Sequence, residues 1–256
     1  MIDGQSVLAV IPARGGSKKL PRKNILPVMG RPLLAWTVDE ARRSRYIDRV
    51  VLSSDDDEII DVARGLGLEV PFRRPAELAA DATPTNDVLF HLLSRISGYD
   101  YLVLLQVTSP LRNVEDIDGC IVECVQRKVG SCVSVSLAEK NPYYYRTLDS
   151  EKRLRPLIGD SCHIGRRQDL PDVYVINGAV FVAQIQFFLE QRTFFTPETR
   201  GYVMPADRSI DIDTAKDIAL MEYLLAFAKM PRALASGMSR LRADASAGQD
   251  GAASKV

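Results

Sequence analysis

The chain has 256 residues, of which 46% are hydrophobic and 26% are charged, and 33 Lys and Arg balance 33 Asp and Glu. A neutral chain of this length fits one α/β domain and lacks the basic surplus typical of nucleic-acid-binding proteins. No apolar run approaches the ~20 residues that a membrane helix needs.

The few cysteines and histidines limit the sites that the chain could build. It has four cysteines and two histidines. The cysteines contain no second closely spaced pair, which favours reduced thiols in a core over a disulfide framework or a zinc site. Asp3 stands where a signal peptide would carry a cation, and a β-like segment follows directly. We therefore expect a cytoplasmic protein.

Short runs rich in Val, Ile and Leu alternate with helical patterns from residue 7 to residue 137. This alternation predicts a doubly wound α/β fold with a mostly parallel sheet. The predicted strands in this part of the chain cover residues 7–11, 50–53, 69–72, 101–105 and 132–137. The predicted helices cover residues 33–43, 56–65, 87–96 and 117–127.

The pattern is lost over residues 140–167, which are rich in Tyr, Arg and turn residues, so we expect an excursion from the core there. It returns with a strand at 173–182 and a helix from Thr214 to about Ala228, whose start carries an Asp-Thr-x-x-Asp capping pattern. The last residues are rich in Ala, Ser, Gly and Arg. We predict one domain over residues 1–230 and a disordered tail over 231–256.

A basic loop follows the first predicted strand, with five cations in the ten residues from Arg14 to Lys23. The carboxyl edge of an α/β sheet is where such folds bind ligands, and Gly15 and Gly16 let backbone N–H groups approach phosphate oxygens. The spacing matches neither the Gly-x4-Gly-Lys phosphate loop nor the Gly-x-Gly-x-x-Gly turn, which disfavours ATPases and dehydrogenases. An ordinary solvated loop is the alternative, but position and paired glycines favour an anion site.

Asp211 and Asp213 are two residues apart on a short β-like segment, which predicts that both carboxylates lie on one face and could share a cation. Magnesium fits, since it uses one or two carboxylates with phosphates and waters, whereas zinc prefers Cys and His. Alternatively, Asp213 caps the last helix and Asp211 is an ordinary exposed acid. The acidic residues 53–58 could form a second metal site, but we favour Ser54 or Asp55 as a helix cap.

Five blocks along the chain resemble the acylneuraminate cytidylyltransferases, also called CMP-sialic acid synthetases. The blocks are residues 11–24, 74–79, 104–112, 167–179 and 209–214. One block would be weak evidence, but five in this order are specific, and the resemblance extends from residue 7 to about 227. It implies a Rossmann-like nucleotidyltransferase fold, magnesium as the metal, and transfer of CMP from CTP to the anomeric hydroxyl of a nonulosonic, sialic-type acid, with release of pyrophosphate.

The resemblance assigns the basic loop to the triphosphate of CTP. It implies that Lys23 lies near the α-phosphate, that Arg14 stabilises the departing pyrophosphate, and that Asp211, through the metal, could lower the pKa of the sugar hydroxyl. Arg74 and Thr85 match the positions that recognise cytidine, although Thr85 could instead cap the following helix. The nucleotide-binding positions are Arg14, Gly15, Gly16, Ser17, Lys23, Asn24, Arg74 and Thr85.

The resemblance also implies a homodimer whose subunits share their active sites. Its sugar-binding positions are Gln106, Thr108, Ser109, Tyr144, Arg167, Asn177 and Phe181. Arg167 would reach the sugar carboxylate of the partner subunit through the excursion. Tyr144 and Phe181 replace a lysine and a tyrosine of some relatives, which favours a less polar sugar such as legionaminic or pseudaminic acid over Neu5Ac, unless Lys140 or Arg146 restores the charge.

Two other functions are compatible with the sequence. A CMP-Kdo synthetase-like enzyme would share most blocks, but residues 167–179 fit the sialic-type enzymes better. A non-catalytic regulator would bind CTP without turnover, which the pair Asp211 and Asp213 disfavours. No residue can be identified from sequence as a dedicated general base.

Overall fold

The computed structural model describes residues 1–158, 166 and 170–228. The strands within these ranges are β1 (Val7–Pro12), β2 (Pro27–Val28), β3 (Arg31–Pro32), β4 (Arg49–Ser53), β5 (Tyr101–Leu105), β6 (Ser131–Leu137), β7 (Arg146–Leu148), β8 (Leu154–Pro156), β9 (Tyr174–Gln184) and β10 (Arg200–Val203). The helices are α1 (Leu33–Arg43), α2 (Asp57–Gly65), α3 (Thr85–Leu93), α4 (Val114–Gln126), α5 (Ile185–Gln191) and α6 (Ala215–Ala228).

The main sheet has the strand order β10, β6, β9, β5, β1, β4. β1 is parallel to β4 and to β5, and β10 is parallel to β6. β9 is antiparallel to both of its neighbours, β5 and β6. The predicted fold is therefore confirmed as a mostly parallel α/β sheet with one reversed strand.

Helices cover both faces of this sheet because successive side chains of a strand point to opposite faces. Val7, Ala9 and Ile11 of β1 join a core cluster with buried residues of α1, α2, α4 and α6. Leu8 and Val10 of the same strand join a second cluster with α3 and α5. A strand that is buried on both faces must be apolar throughout, which accounts for its continuous apolar sequence.

The strand predicted at residues 69–72 is wrong. Glu69 forms only an isolated bridge to Val51, in which the N–H of Leu52 donates to the Glu69 carbonyl at 2.8 Å. Pro71 removes a backbone donor that a strand would need two residues later. The short helix α5 and the edge strand β10 were not predicted.

Helix α4 begins at Val114, three residues before its predicted start. The prediction began too late because it did not identify Asn113 as the N-cap. The Asn113 side chain accepts a hydrogen bond from the N–H of Asp116 at 3.1 Å, and the Asp116 carboxylate accepts one from the N–H of Asn113 at 3.1 Å. Such a capping box satisfies two otherwise unpaired donors of the first turn.

Of the residues predicted to leave the core, the described residues 140–158 lie outside the main sheet. β7 and β8 form a separate antiparallel hairpin. Residues 159–165 and 167–169, and the tail predicted at 231–256, lie outside the described residues. Of the helices in the described ranges, none combines the length and apolar character required to cross a bilayer.

Candidate active site

A cleft of about 350 Å³ lies at the carboxyl ends of β1 and β5. Its walls come from the basic loop after β1, the segment between α2 and α3, and the residues that follow β5. The predicted site residues that line it are Arg14, Gly16, Ser17, Lys23, Asn24, Arg74, Thr85, Gln106 and Thr108. The structure thus brings the predicted nucleotide-binding loop and part of the predicted sugar site together at the sheet edge where α/β folds bind ligands.

The basic loop is held in shape by its own polar groups and by the start of α2. The buried Asn24 amide donates to the Arg14 carbonyl at 2.9 Å. The N–H of Gly15 donates to Asp55 Oδ1 at 3.2 Å. A Cβ on Gly15 would lie 2.5 Å from Asp56 Oδ2, which explains a glycine at this position.

Residues 53–58, in which two serines precede four acids, contact the basic loop and the start of α2. Asp56 is the N-cap of α2 and accepts a hydrogen bond from the N–H of Ile59 at 3.0 Å, so the expectation of a Ser54 or Asp55 cap is wrong. Arg22 donates to both Asp56 oxygens, at 2.6 and 3.0 Å, and these bonds hold the pKa of Asp56 below its usual value.

Lys23 is held in place by two residues that lie 189 and 190 positions later in the chain. Its Nζ donates to the Ile212 carbonyl at 2.8 Å and to Asp213 Oδ1 at 3.0 Å, and its side chain is only 15% exposed. Lys19 Nζ donates to the other oxygen of Asp213 at 3.0 Å. The hydrogen bonds from Lys19 and Lys23 lower the pKa of Asp213, so this carboxylate is ionised at neutral pH.

The Asp213 side chain does not cap α6, because its two oxygens bind Lys19 and Lys23. The carboxylate that binds back to the residues before the helix is that of Asp217, in the first turn of α6. Asp217 Oδ2 accepts hydrogen bonds from the N–H of Asp213 at 3.0 Å and from the N–H of Thr214 at 2.7 Å. The capping pattern predicted at the start of this helix is therefore confirmed, and the Asp213 carboxylate stays directed at the two lysines.

Residues 211–213, called the acidic segment below, can supply part of a metal site. Asp211 is exposed and Asp213 is half-buried, on either side of the buried Ile212. In the described ranges, no three His, Cys, Asp or Glu side chains are grouped closely enough to hold a metal ion by themselves. Two carboxylates completed by phosphate oxygens and waters form a donor set that fits magnesium.

Arg74 and Thr85 lie in the part of the cleft predicted to recognise cytidine. Arg74 is buried and donates to the carbonyls of Ser53 and Leu78, while its Nε has no hydrogen-bond partner among the described residues. Burial lowers the pKa of its guanidinium. Thr85 is the first residue of α3, but Pro84 holds the N-cap position and no side chain caps the helix, so the alternative role of Thr85 as a cap is not seen.

Asp81 is a site residue that sequence reasoning missed. It lines the cleft, with its Oδ1 3.2 Å from Arg14 Nη2 and its Oδ2 2.5 Å from Lys18 Nζ. Arg14 also donates to the Ala80 carbonyl at 3.1 Å. The hydrogen bond from Lys18 lowers the pKa of Asp81. The signal in the sequence was an acid two residues beyond the block at 74–79.

Ser109 and Asn177 are buried and do not line the cleft, whereas the sequence predicted that both contact the sugar. The buried Ser109 hydroxyl donates to the Asn177 carbonyl at 3.5 Å. The Asn177 side chain accepts from the Ser134 hydroxyl at 2.6 Å and from the N–H of Ala179 at 3.1 Å, and it donates to the Ser209 hydroxyl at 2.9 Å. These bonds use the amide of Asn177 to join β6, β9 and the segment before Asp211.

Tyr144 and Phe181, the two residues used to predict the sugar, do not line the cleft. Phe181 is buried, with its ring centroid 5.4 Å from that of Phe194 and 6.3 Å from that of Phe195, whereas the sequence predicted that it faces the sugar. Tyr144 is exposed at the end of a short helical turn before β7. Arg167 lies outside the described residues.

Comparisons with known proteins relate the chain to one enzyme family. The family model described as cytidylyltransferase matches residues 8–154. An N-acylneuraminate cytidylyltransferase of Streptococcus agalactiae is 36% identical over 212 residues, which are 82% of this chain and 51% of that protein. A CMP-N,N'-diacetyllegionaminic acid synthase of Legionella pneumophila is 34% identical over 226 residues, 86% of this chain and 96% of that protein. The chain therefore spans about half the length of the streptococcal relatives it matches.

A solved structure shares the fold. It is described as CMP:2-keto-3-deoxy-manno-octonic acid synthetase complexed with CTP, and it superposes with a TM-score of 0.66 at 15% identity. The match covers 86% of this chain and 98% of the other.

Proposed function

This chain belongs to the cytidylyltransferase family, and on that premise we propose that it is an enzyme that transfers CMP from CTP to the anomeric hydroxyl of a nonulosonic acid. Pyrophosphate is the second product. The names of the streptococcal and Legionella relatives support a sialic-type acceptor.

The observation that supports this function most directly is the content of the cleft. It collects Arg14 and Lys23, which suit phosphate oxygens, together with Arg74 and Thr85, which suit the acceptors on a cytosine ring. Gln106 lines the same cleft with neutral polar groups for a hydroxyl-rich acceptor. The volume of the cleft, about 350 Å³, is in the range of small-molecule sites.

In the proposed reaction the anomeric oxygen forms a bond to the α-phosphorus while the bond from that phosphorus to the bridging oxygen of the β-phosphate breaks. Pyrophosphate leaves with the electron pair, and the proton of the anomeric hydroxyl passes to water. Lys23 is held by two oxygen acceptors and is largely withdrawn from solvent, so its ammonium is oriented before the nucleotide arrives. Arg14 offers its guanidinium to the oxygens of the leaving group.

Magnesium is part of the proposal, and Asp211 and Asp213 would hold it. When bound, the cation neutralises charge on the triphosphate and lowers the pKa of the attacking hydroxyl. Asp211 is exposed, and Asp213 is ionised at neutral pH, so both can act as ligands; at Asp213 the cation would share the carboxylate with Lys19 and Lys23.

We also propose that the protein is a homodimer joined through the β7–β8 hairpin and the neighbouring start of β9. Exposed apolar side chains concentrate there, each between 42% and 67% exposed. They are Leu137, Tyr144, Tyr145, Leu148, Leu154, Tyr174, Val175 and Ile176. Monomers rarely leave such a patch in contact with water. In this assembly Arg167 of the partner subunit pairs with the sugar carboxylate.

A cytoplasmic location is consistent with the thiols. Cys120, Cys124 and Cys132 are free and buried, and the sulfurs of Cys120 and Cys132 lie 3.6 Å apart without a disulfide. Unpaired cysteines of this kind suit a reducing compartment.

For the acceptor, we propose a 9-deoxy diamino nonulosonic acid in preference to Neu5Ac. Support comes from the Legionella relative, of which this chain covers 96%. The argument from Phe181 no longer contributes, because its ring packs in the core.

The test is to follow pyrophosphate release with CTP, magnesium and a panel of Neu5Ac, legionaminic acid, pseudaminic acid and Kdo. We expect turnover with the nonulosonic acids and the highest kcat/KM with a diamino sugar. Turnover with Kdo alone would favour the Kdo-activating alternative, and CTP binding without turnover would favour a regulator. A clear preference for Neu5Ac would contradict the choice of sugar.

A further inference from the structure

Arg112 is a charged side chain in the protein interior that no substrate role explains. It is 1% exposed, and burial lowers its pKa to about 9. Its Nη1 donates to the Gln106 carbonyl at 2.7 Å and to the Ser109 carbonyl at 2.9 Å. Burying a guanidinium is costly, and an apolar side chain would fill the space without that cost. The retained charge therefore calls for an explanation beyond packing.

The two acceptors are the ends of one turn. Residues 106–109 directly follow β5, and Gln106 and Thr108 line the cleft where the sugar is proposed to bind. Because a single nitrogen of Arg112 binds both carbonyls, it fixes the distance between the ends of this turn. The direction of the Gln106 and Thr108 side chains depends on that distance.

The same turn is joined to the acidic segment. The carbonyl of Thr108 accepts a hydrogen bond from the N–H of Ile212, between Asp211 and Asp213, at 2.7 Å. A displacement of the turn would therefore also move the two carboxylates proposed to hold magnesium.

The start of α4 supports both parts of this connection. Arg112 immediately precedes the N-cap Asn113, and the fully buried Asp116 lies in the first turn. Asp116 accepts two hydrogen bonds from Arg208, at 2.8 Å each, just before the acidic segment. The beginning of one helix thus anchors the sugar-side turn through Arg112 and the acidic segment through Asp116.

We propose that Arg112 is a positioning residue that sets the geometry of the 106–109 turn for the acceptor sugar and, through the bond between Thr108 and Ile212, its spacing from the acidic segment. This inference rests on the proposed function in so far as the turn binds the sugar. Arg112 is not among the residues that line the cleft. On the nucleotide side, Arg14 and Arg74 are held by other contacts, whereas Lys23 is held by Ile212 and Asp213.

The kinetic test compares Arg112→Met, Arg112→Lys and the control Ile121→Val, which removes one buried methyl group from α4 without touching the turn. We expect Arg112→Met to raise KM for the sugar by about tenfold or more, since two charge-assisted hydrogen bonds are lost. The same change should weaken CTP binding much less than sugar binding, because Arg14 and Arg74 keep their contacts and only Lys23 is held by Ile212 and Asp213. Arg112→Lys should recover part of the sugar affinity, since an ammonium can donate to both carbonyls.

A second readout does not depend on turnover. Hydrogen exchange followed by NMR should show faster exchange of the Ile212 amide in both Arg112 variants, with the amide of Gly15, which donates to Asp55, unchanged. Equal losses of sugar and CTP binding, unchanged exchange at Ile212, or the same pattern in Ile121→Val would overturn the proposal. If Arg112→Met does not fold, Arg112→Lys alone decides. If the wild type transfers CMP to no sugar, the proposed function fails, and the exchange data still decide whether Arg112 positions the turn.

Discussion

Asp213 connects the acidic segment to two cations of the basic loop, Lys19 and Lys23. Its two oxygens bind Lys19 and Lys23, so a carboxylate proposed as a metal ligand also orders the loop that is proposed to bind the triphosphate. Asp211, two residues earlier, is exposed and binds no lysine among the described residues. Substitution of Asp211 would therefore remove a proposed metal ligand alone, whereas substitution of Asp213 would also disturb the hydrogen bonds that order the basic loop.

Asp211→Asn and Asp213→Asn should each lower kcat with magnesium by about two orders of magnitude or more, because each removes a ligand charge beside the transferring phosphate. Pyrophosphate release measures the effect, and thermal melting checks that the fold is intact. Asp207→Asn, which changes an exposed acid a few residues earlier, should be near wild type. Near-normal turnover in both variants would remove the metal assignment.

Asp81 occupies two cations that the triphosphate is proposed to need. Its carboxylate contacts Arg14 and Lys18 within the cleft. Asp81→Asn should therefore lower the Kd for metal-free CTP by about twofold to fivefold, as expected for one exposed charge. Calorimetry at low salt measures the gain, which should shrink at high salt.

The matched control for this variant is Asp61→Asn, which makes the same charge change on α2 beside Arg64, and it should leave CTP binding unchanged. Weaker CTP binding by Asp81→Asn would show instead that Asp81 helps to hold the loop or a cation.

The residues of the nucleotide side could be predicted because they follow a strand or belong to a distinctive block. Arg14, Lys23 and Arg74 all line the cleft, as expected. Asn177 and Phe181 belong to an equally distinctive region, but a block does not tell which side chains turn inward. Both side chains are buried because Asn177 hydrogen-bonds Ser134 and Phe181 packs on Phe194. These partners are distant in the chain, so the block itself does not reveal them.

At the scale of elements, apolar alternation located most of the strands and helices but not their direction. β9 has the same apolar character as β5, yet it runs antiparallel to its neighbours. Its direction depends on the connection through the excursion, which has no hydrophobic pattern to interpret. The strand expected at residues 69–72 failed for a local reason, since Pro71 cannot donate to a neighbour.

Asn113→Ala should lower the free energy of unfolding by about 1 kcal/mol, because it removes the capping box at the start of α4. Urea denaturation followed by circular dichroism measures the change. Asn141→Ala removes a cap from a short helical turn in the excursion and should cost less, since that turn lies outside the main core. Equal losses for the two variants would contradict the importance of the α4 cap.

At the scale of the whole molecule, the exposed hairpin is the feature that sets the expected assembly. The double variant Leu148→Asp with Leu154→Asp should convert a dimer into a monomer, because it places two charges in the proposed interface. Light scattering coupled to size-exclusion chromatography gives the mass. Turnover should fall while CTP binding persists, since Arg167 of the partner subunit is assigned to the sugar and not to the nucleotide.

The control for this variant is Leu220→Asp, which places a charge on an exposed position of α6 away from the hairpin. It should leave the mass unchanged. A monomeric wild type, or a double variant that remains a dimer, would contradict the proposed interface.

The contact between Lys23 and Asp213 joins residues 190 positions apart in the chain, and this separation has a consequence for biosynthesis. A ribosome adding about 5–20 residues per second needs about ten to forty seconds to pass from one to the other. During that interval β1 can pair with β4 and β5, but the lysine has no carboxylate to meet. Arg14, Lys18 and Arg22 can already meet Asp81, Asp56 and Glu58 in the nascent chain, whereas Lys19 and Lys23 lack their carboxylate partner until residue 213 has been made. The proposed nucleotide site is therefore completed late, after the central strands of the sheet can have paired.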